Sequence, residues 1–313
     1  MKYSPLTLGQ IEALCNMCGG EEVIADILVG DKKITVEEVV KLLIDRTGRA
    51  ISDKSVVTAS VCDANRNYHF DRLVDNHDFV VTLELWQQRF GQKPGMNAKE
   101  FLERIVALKA KIAEDRRIRN LVGPDAAPYF PIILPQIPRQ KTEGNEKAEA
   151  KQPDYGRLLE QLLLPAVEAS YLAAFPERQF VNYRKGELEG QVTIVEERHA
   201  KLYADLANGP IVGILFPAAL HGFSPFAQRQ MVNLMPQGIS LAGPIEIGVG
   251  EVLYPQHLSR DNNTPVKDCS AVQWQDPSFS LHFSAYDGKL RFAYRYYLGH
   301  TDGDFSGAFF VRG

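Results

Sequence analysis

Near its C-terminus the chain reads "FSLHFSAYDGKLRFAYRYY", two alternating runs on either side of Asp287-Gly288. Asp-Gly tolerates the two positive-φ positions of a two-residue hairpin turn, and the alternation around it fixes the register. Pairing across the turn sets Ala285 opposite Leu290, Phe283 opposite Phe292, Leu281 opposite Tyr294 and Phe279 opposite Tyr296. The other face pairs Ser284 with Arg291, His282 with Ala293 and Ser280 with Arg295, so one side should pack and the other meet water. A second turn, "HTDGD", leads into "FSGAFFV" and predicts a three-stranded meander. The last 40 residues hold 11 of the chain's 30 aromatics, more than a half-buried sheet needs. Tyrosine and arginine on an exposed face suit recognition, which makes Tyr286, Arg291, Arg295 and Tyr297 the candidate binding residues. A small core built from aromatics would explain the same enrichment.

The rest of the chain sorts into three stretches. In residues 1–123 helical patterns dominate. Leu8, Ile11, Leu14, Cys15 and Cys18 share one helical face that stops at Gly19-Gly20, and a second helix runs from Glu21 to about Val29 and stops at Gly30. Thr35 with Glu38 predicts a capping box for a third helix reaching Leu42 and Leu43. A short strand and an Asn-rich loop follow, and "FVVTLELWQQRF" admits either strand or helix. Asn97 with Glu100 opens a helix through Phe101, Ile105, Leu108 and Ile112 that is expected to end at Gly123-Pro124, with Arg116, Arg117 and Arg119 in its last turns. Residues 124–153, "PDAAPYFPIILPQIPRQKTEGNEKAEAKQP", are punctuated by proline and then highly charged, the composition of a linker. In residues 154–313, Pro165 interrupts an apolar helix, and Thr193 with Glu196 suggests a cap for a helix that buries His199. "PIVGILFPA" reads as a buried strand, Ser224-Pro225 as a helix start, and "QGISLAGPIEIGVGEVLY" as short strands and turns.

The expected class is therefore α+β. A mainly helical N-terminal module is joined by a Pro-rich linker to a domain with helices on an antiparallel sheet, ending in the aromatic meander. A length of 313 residues accommodates two such units. A formal net charge of −4 lacks the basic excess of a nucleic-acid binder. No apolar run reaches the roughly 20 residues of a membrane span, and the N-terminus has no apolar core of a signal peptide. With only four cysteines, a cytoplasmic protein is expected.

Chemical motifs are few. Cys15 and Cys18 form a C-x-x-C pair, but they lie near the end of their helix, where the dipole disfavours a thiolate, and no second pair exists to complete a zinc site. Cys62 and His69 would complete a four-ligand set if the fold brought them close; otherwise the cysteines are apolar core residues. His300, Asp302 and Asp304 of "HTDGD" would suit a cation or simply a turn. No phosphate loop, G-x-S-x-G elbow or H-E-x-x-H is present, and "IGVGEV" lacks the third glycine of a dinucleotide fingerprint, so no cofactor is implied. "LHGFS" is the one candidate for catalysis, with His221 and Ser224 placed between a buried strand and a helix N-terminus.

The opening "LGQIEALCNMCGGEEVIADILVGD" resembles a segment of uncharacterised bacterial hypothetical proteins. The match lies in Gly9, Gln10, Ile11, Glu12, Ala13, Asn16, Gly19, Gly20, Glu21 and Glu22. That family carries apolar residues where this chain has Cys15 and Cys18, so the resemblance implies that these are core positions. It covers about the first 120 residues, most closely the first 25. Those proteins have no assigned activity, and the resemblance implies an architecture without a reaction.

These readings point to a non-enzymatic ligand- or protein-binding protein that uses the exposed face of the last hairpin, with no nucleic acid or membrane as partner. The alternative is a hydrolase-like enzyme centred on His221 and Ser224. A third reading, an assembly subunit, would bury the same hairpin face against a second copy.

Overall fold

The computed structural model describes residues 20–31, 41–52, 61–140 and 150–313. The chain divides into two units, residues 1–41 and 42–313. In the first, helix α1 (Glu21–Val29) has Glu21 and Glu22 in its first turn and ends on Gly30, whose N–H reaches back to the carbonyls of Asp26 and Ile27. Cys15 and Cys18, with the helix expected around them and the Thr35–Glu38 capping box, lie outside the described residues. Leu42 and Leu43, expected at the end of that third helix, have irregular backbone. The Leu43 N–H donates to the Arg117 carbonyl instead.

Residues 42–313 form one unit, so no boundary falls at 124–153. Its first helix, α2 (Phe79–Phe90), resolves the ambiguous "FVVTLELWQQRF". The Asp78 carboxylate caps the Val80 and Val81 N–H groups, Gly91 closes the C-terminus, and Thr82, Leu83, Trp86 and Phe90 face inward. Helix α3 (Ala98–Glu114) starts with the expected Asn97–Glu100 capping box and buries Phe101, Ile105, Leu108 and Ile112. It stops earlier than expected. Asp115 accepts from the Arg117 N–H and pairs with its guanidinium, and a 3₁₀ turn, Arg119–Val122, follows. Arg116, Arg117 and Arg119 thus lie beyond the helix.

The stretch that reads as a linker contains strand β1 (Phe130–Leu134), buried throughout. It is the terminal strand of the main sheet, which tolerates Pro131 within it. Helix α4 (Tyr155–Leu158) passes through a π-helical turn, Leu159–Leu163, into α5 (Leu164–Ala174), with Pro165 in the first turn of α5. Strands β2 (Gln179–Asn182) and β3 (Val192–Ile194) follow. Helix α6 (Glu197–Asp205) is capped by Glu196 itself rather than by Thr193, which lies in β3. Next come β4 (Ile211–His221), α7 (Pro225–Leu234) capped by Ser224, and β5 (Ile239–Leu241).

The glycine-rich segment that reads as strands and turns instead forms α8 (Pro244–Leu253), in which every residue is buried. Its glycines serve close packing: a Cβ on Gly248 would meet Leu163 at 2.6 Å, and one on Gly250 would meet Leu215 and Leu258 at 2.9 Å. The short α9 (Pro255–Leu258) precedes β6 (Val266–Cys269), β7 (Val272–Trp274), β8 (Ser280–Tyr286), β9 (Lys289–Arg295) and β10 (Phe305–Arg312).

The class is α+β. The main sheet has eight strands in the order β1-β4-β10-β6-β8-β9-β2, with β5 also on β10, and β3 pairs with β7 separately. The sheet is mixed, because β10–β6 and β2–β9 are parallel. The hairpin has the register read from the sequence, from Ala285↔Leu290 to Ser280↔Arg295, over a turn with Asp287 at φ 53° and Gly288 at φ 66°. The last strand does not continue a meander. Residues 296–304 carry the chain across the sheet, and β10 inserts between β4 and β6. There its run Ala308–Val311 is fully covered, which suits it better than an outer position. Among the described residues no helix is long and apolar enough to cross a membrane.

Candidate functional site

Most residues singled out in the sequence gather around the two ends of the β8–β9 hairpin. At the open end, Arg295 is not on an exposed face. It is only 8% exposed, pairs with the fully buried Asp268 at 2.8 Å, and stacks 4.0 Å over the Phe305 ring. Asp268 also accepts from the Gln228 side chain of α7 at 3.0 Å. That amide lies so close to β10 that a Cβ on Gly307 would meet Gln228 Oε1 at 2.2 Å. Strand alternation placed Arg295 on the polar face correctly; helix α7 and the 296–304 loop then covered that face. Burial raises the Asp268 pKa despite Arg295. Burial, followed by the Arg295 and Lys267 charges, pushes the His282 imidazole down to about 3.

The 296–304 loop is tied down at many points. Arg295 Nη2 donates to the His300 carbonyl at 2.8 Å, Thr301 Oγ1 to the Gly222 carbonyl at 2.6 Å, and His221 Nε2 to the Gly303 carbonyl at 2.8 Å. The Phe226 N–H reaches the Leu298 carbonyl at 3.2 Å. Asp302 and Asp304 share this loop; burial, reinforced by Asp302, pushes the Asp304 carboxyl up to about 6. On this anchored loop Tyr296 is 55% and Tyr297 73% exposed. Their rings meet edge to face at 4.8 Å, and Tyr297 sits at φ 58°, a conformation disfavoured for a bulky side chain.

The proposed catalytic pair is differently employed. Ser224 Oγ accepts from the Ala227 N–H and is sealed from solvent, while burial pushes His221 down to about 4. Among the described residues no hydrogen bond joins the two side chains, so nucleophile and base are not assembled. Cys62 Sγ lies 3.2 Å from Thr301 Oγ1, whose one proton goes to the Gly222 carbonyl, and His69 lies 3.7 Å from Asp71. Among the described residues no cluster of three or more His, Cys, Asp or Glu side chains could hold a metal ion; this includes His300, Asp302 and Asp304.

At the turn end, Tyr286 is 55% exposed, and the partly buried Arg291 lies 4.7 Å over its ring. Tyr286 and Tyr297 are therefore separated by the length of the hairpin, about 20 Å at about 3.3 Å per residue. The four candidate residues do not form one continuous face.

Two buried polar clusters were not foreseen. His199 is a core histidine, as its helical position suggested, but its Nδ1 donates to Glu246 at 2.9 Å and its Nε2 accepts from the Tyr155 hydroxyl at 2.9 Å. Lys267 Nζ meets Glu251 at 2.9 Å and Ser259 Oγ at 3.0 Å. All of these side chains are sealed in the core, which fits positioning of α8 rather than contact with a substrate. The only local signal was Glu246 and Glu251 inside an otherwise apolar segment.

No protein-family model, curated protein or solved structure matches the chain.

Proposed function

We propose that this chain is a non-enzymatic recognition protein that binds a polypeptide partner through the Tyr296–Tyr297 knuckle. The observation that carries this reading is Tyr297, a bulky residue at φ 58° with its ring 73% exposed. Backbone strain of this kind costs of order 1–3 kcal/mol, and among the described residues the ring gains in return only its edge contact with the likewise exposed Tyr296. The loop beneath is immobilised by Arg295, Thr301 and His221, so the two rings are presented with little ordering cost on binding. Rings this exposed suit a broad surface better than an enclosed small molecule. Arg295 contributes from below as an anchor, and not by direct contact.

A photo-crosslinking amino acid at position 296 in the full chain, introduced in its native cells, tests this. The expected result is one predominant crosslinked protein whose purified form binds the chain. Replacing Tyr296 and Tyr297 with Ser should weaken that binding at least about thirtyfold, the scale of a single aromatic hot spot. Equal affinity of wild type and the double variant would overturn the reading.

A further inference from the structure

We infer that the cavity at the turn end of the β8–β9 hairpin binds a small organic anion through its carboxylate or phosphate group. This site is separate from the Tyr296–Tyr297 knuckle and does not depend on its function. The cavity measures about 420 Å³ and is bordered by Tyr171, Arg178, Asn262, Tyr286 and Lys289, together with Asp261. That volume lies within the range of small-molecule sites.

Three observations converge on an anion. First, Tyr171 is 0% exposed, and among the described residues its hydroxyl makes no hydrogen bond of ordinary geometry, although the Arg178 guanidinium lies near enough to favour its ionised form against the upward push of burial; buried polar groups rarely tolerate such an arrangement without a further partner. Second, among the described residues neither Arg178 nor Lys289 has a carboxylate within salt-bridge range. Arg178 donates to the Arg260 carbonyl, stacks 4.1 Å over the Phe175 ring and lies beside the Tyr171 hydroxyl. The one acid on the cavity wall, Asp261, is already engaged by Arg260 Nε at 2.8 Å and by the Asn263 N–H at 2.9 Å. The wall therefore carries excess positive charge beside a buried hydroxyl donor. Third, Asn262 Oδ1 accepts from the Asp287 N–H at 2.8 Å, which leaves its amide nitrogen as a further donor. A ligand anion accepting from Tyr171, Arg178 and Lys289 would satisfy all three groups. The Tyr286 ring at the rim offers a face for a planar ligand group.

Inorganic phosphate and benzoate serve as separate probes, titrated at constant ionic strength into the ¹⁵N-labelled full chain while the Tyr286, Gly288 and Lys289 amides are followed. Saturable shifts in the millimolar range are expected for one probe; phosphate would identify a phosphate ligand and benzoate a carboxylate. Tyr171→Phe and Lys289→Gln should each weaken that binding about tenfold or more, the scale of a lost charge-assisted hydrogen bond. Both substitutions leave Arg178 on Phe175, so neither depends on Arg178→Gln folding well. If neither probe moves these amides, or both variants titrate like wild type, the cavity holds only water and the inference fails.

Discussion

The two ends of the β8–β9 hairpin carry the same kinds of side chain, arginine beside tyrosine on the polar face of one antiparallel pair. They differ in what lies over them. At the open end, α7, β6 and the 296–304 loop close over Arg295 and give it Asp268, the His300 carbonyl and the Phe305 ring. At the turn end Arg291 lies over Tyr286, while Lys289 and the Tyr171 hydroxyl border a cavity and, among the described residues, neither meets a carboxylate. Identical chemistry is thus structural where it is covered and available where it is not. An arginine on the polar face of a strand does not reveal its role until the next layer is known.

This contrast can be broken most directly with matched substitutions. Arg295→Ala strands a buried carboxylate and should lower unfolding free energy by about 3–5 kcal/mol, whereas Arg291→Ala should cost about 1 kcal/mol or less. Urea denaturation of both variants checks this; equal losses would mean that the open end is no more enclosed than the turn.

Acid provides a second test. His282 is held at about 3 in the folded protein, against about 6.5 when unfolded. The folded state therefore refuses a proton that the unfolded chain accepts, and stability falls as pH drops below 6.5. His282→Gln should remove a loss of up to about 1.4 kcal/mol per pH unit between pH 6.5 and about 3. Asp304, raised to about 6, has the opposite sign: Asp304→Asn should stabilise above pH 6, with the gain vanishing as pH falls below about 4. Chemical denaturation at pH 7, 5 and 4 measures both; parallel pH profiles for wild type and His282→Gln would mean that the imidazole is not buried as described.

The smallest effect belongs to the turn end. Tyr171→Phe removes a hydroxyl that makes no hydrogen bond of ordinary geometry among the described residues, so stability should change by less than about 0.5 kcal/mol or rise slightly. A thermal melt suffices, and a loss above about 1 kcal/mol would show that the hydroxyl already has a partner within the fold.

Local signals proved reliable where the physics is local. Asp287-Gly288 set the hairpin register, Asn97–Glu100 the start of α3, Ser224-Pro225 the start of α7, and Gly30 the end of α1, because each depends on neighbours within a few residues. The misread segments depend on distant partners. Residues 130–134 look like a proline-punctuated linker because the sheet edge that accepts Pro131 is supplied by β4, some eighty residues later. The Gly-Pro-Ile-Glu-Ile-Gly-Val-Gly run looks like turns because helix-breaking glycines are tolerated only where Leu163, Leu215 and Leu258 press against them. The Tyr171–Arg178–Lys289 cavity was invisible for the same reason, since its residues come from α5, the segment before β2, and β9.

From the sequence alone, the α+β class follows, as do the paired faces of the last hairpin and a C-terminal concentration of aromatic residues, since alternation and turn chemistry act between adjacent residues. Only the tertiary structure decided that β10 inserts between β4 and β6, that Arg295 is an anchor while Tyr297 is displayed, and that a basic cavity opens at the hairpin turn. Those outcomes depend on which surfaces cover one another, and burial is a property of the assembled layers rather than of any one segment.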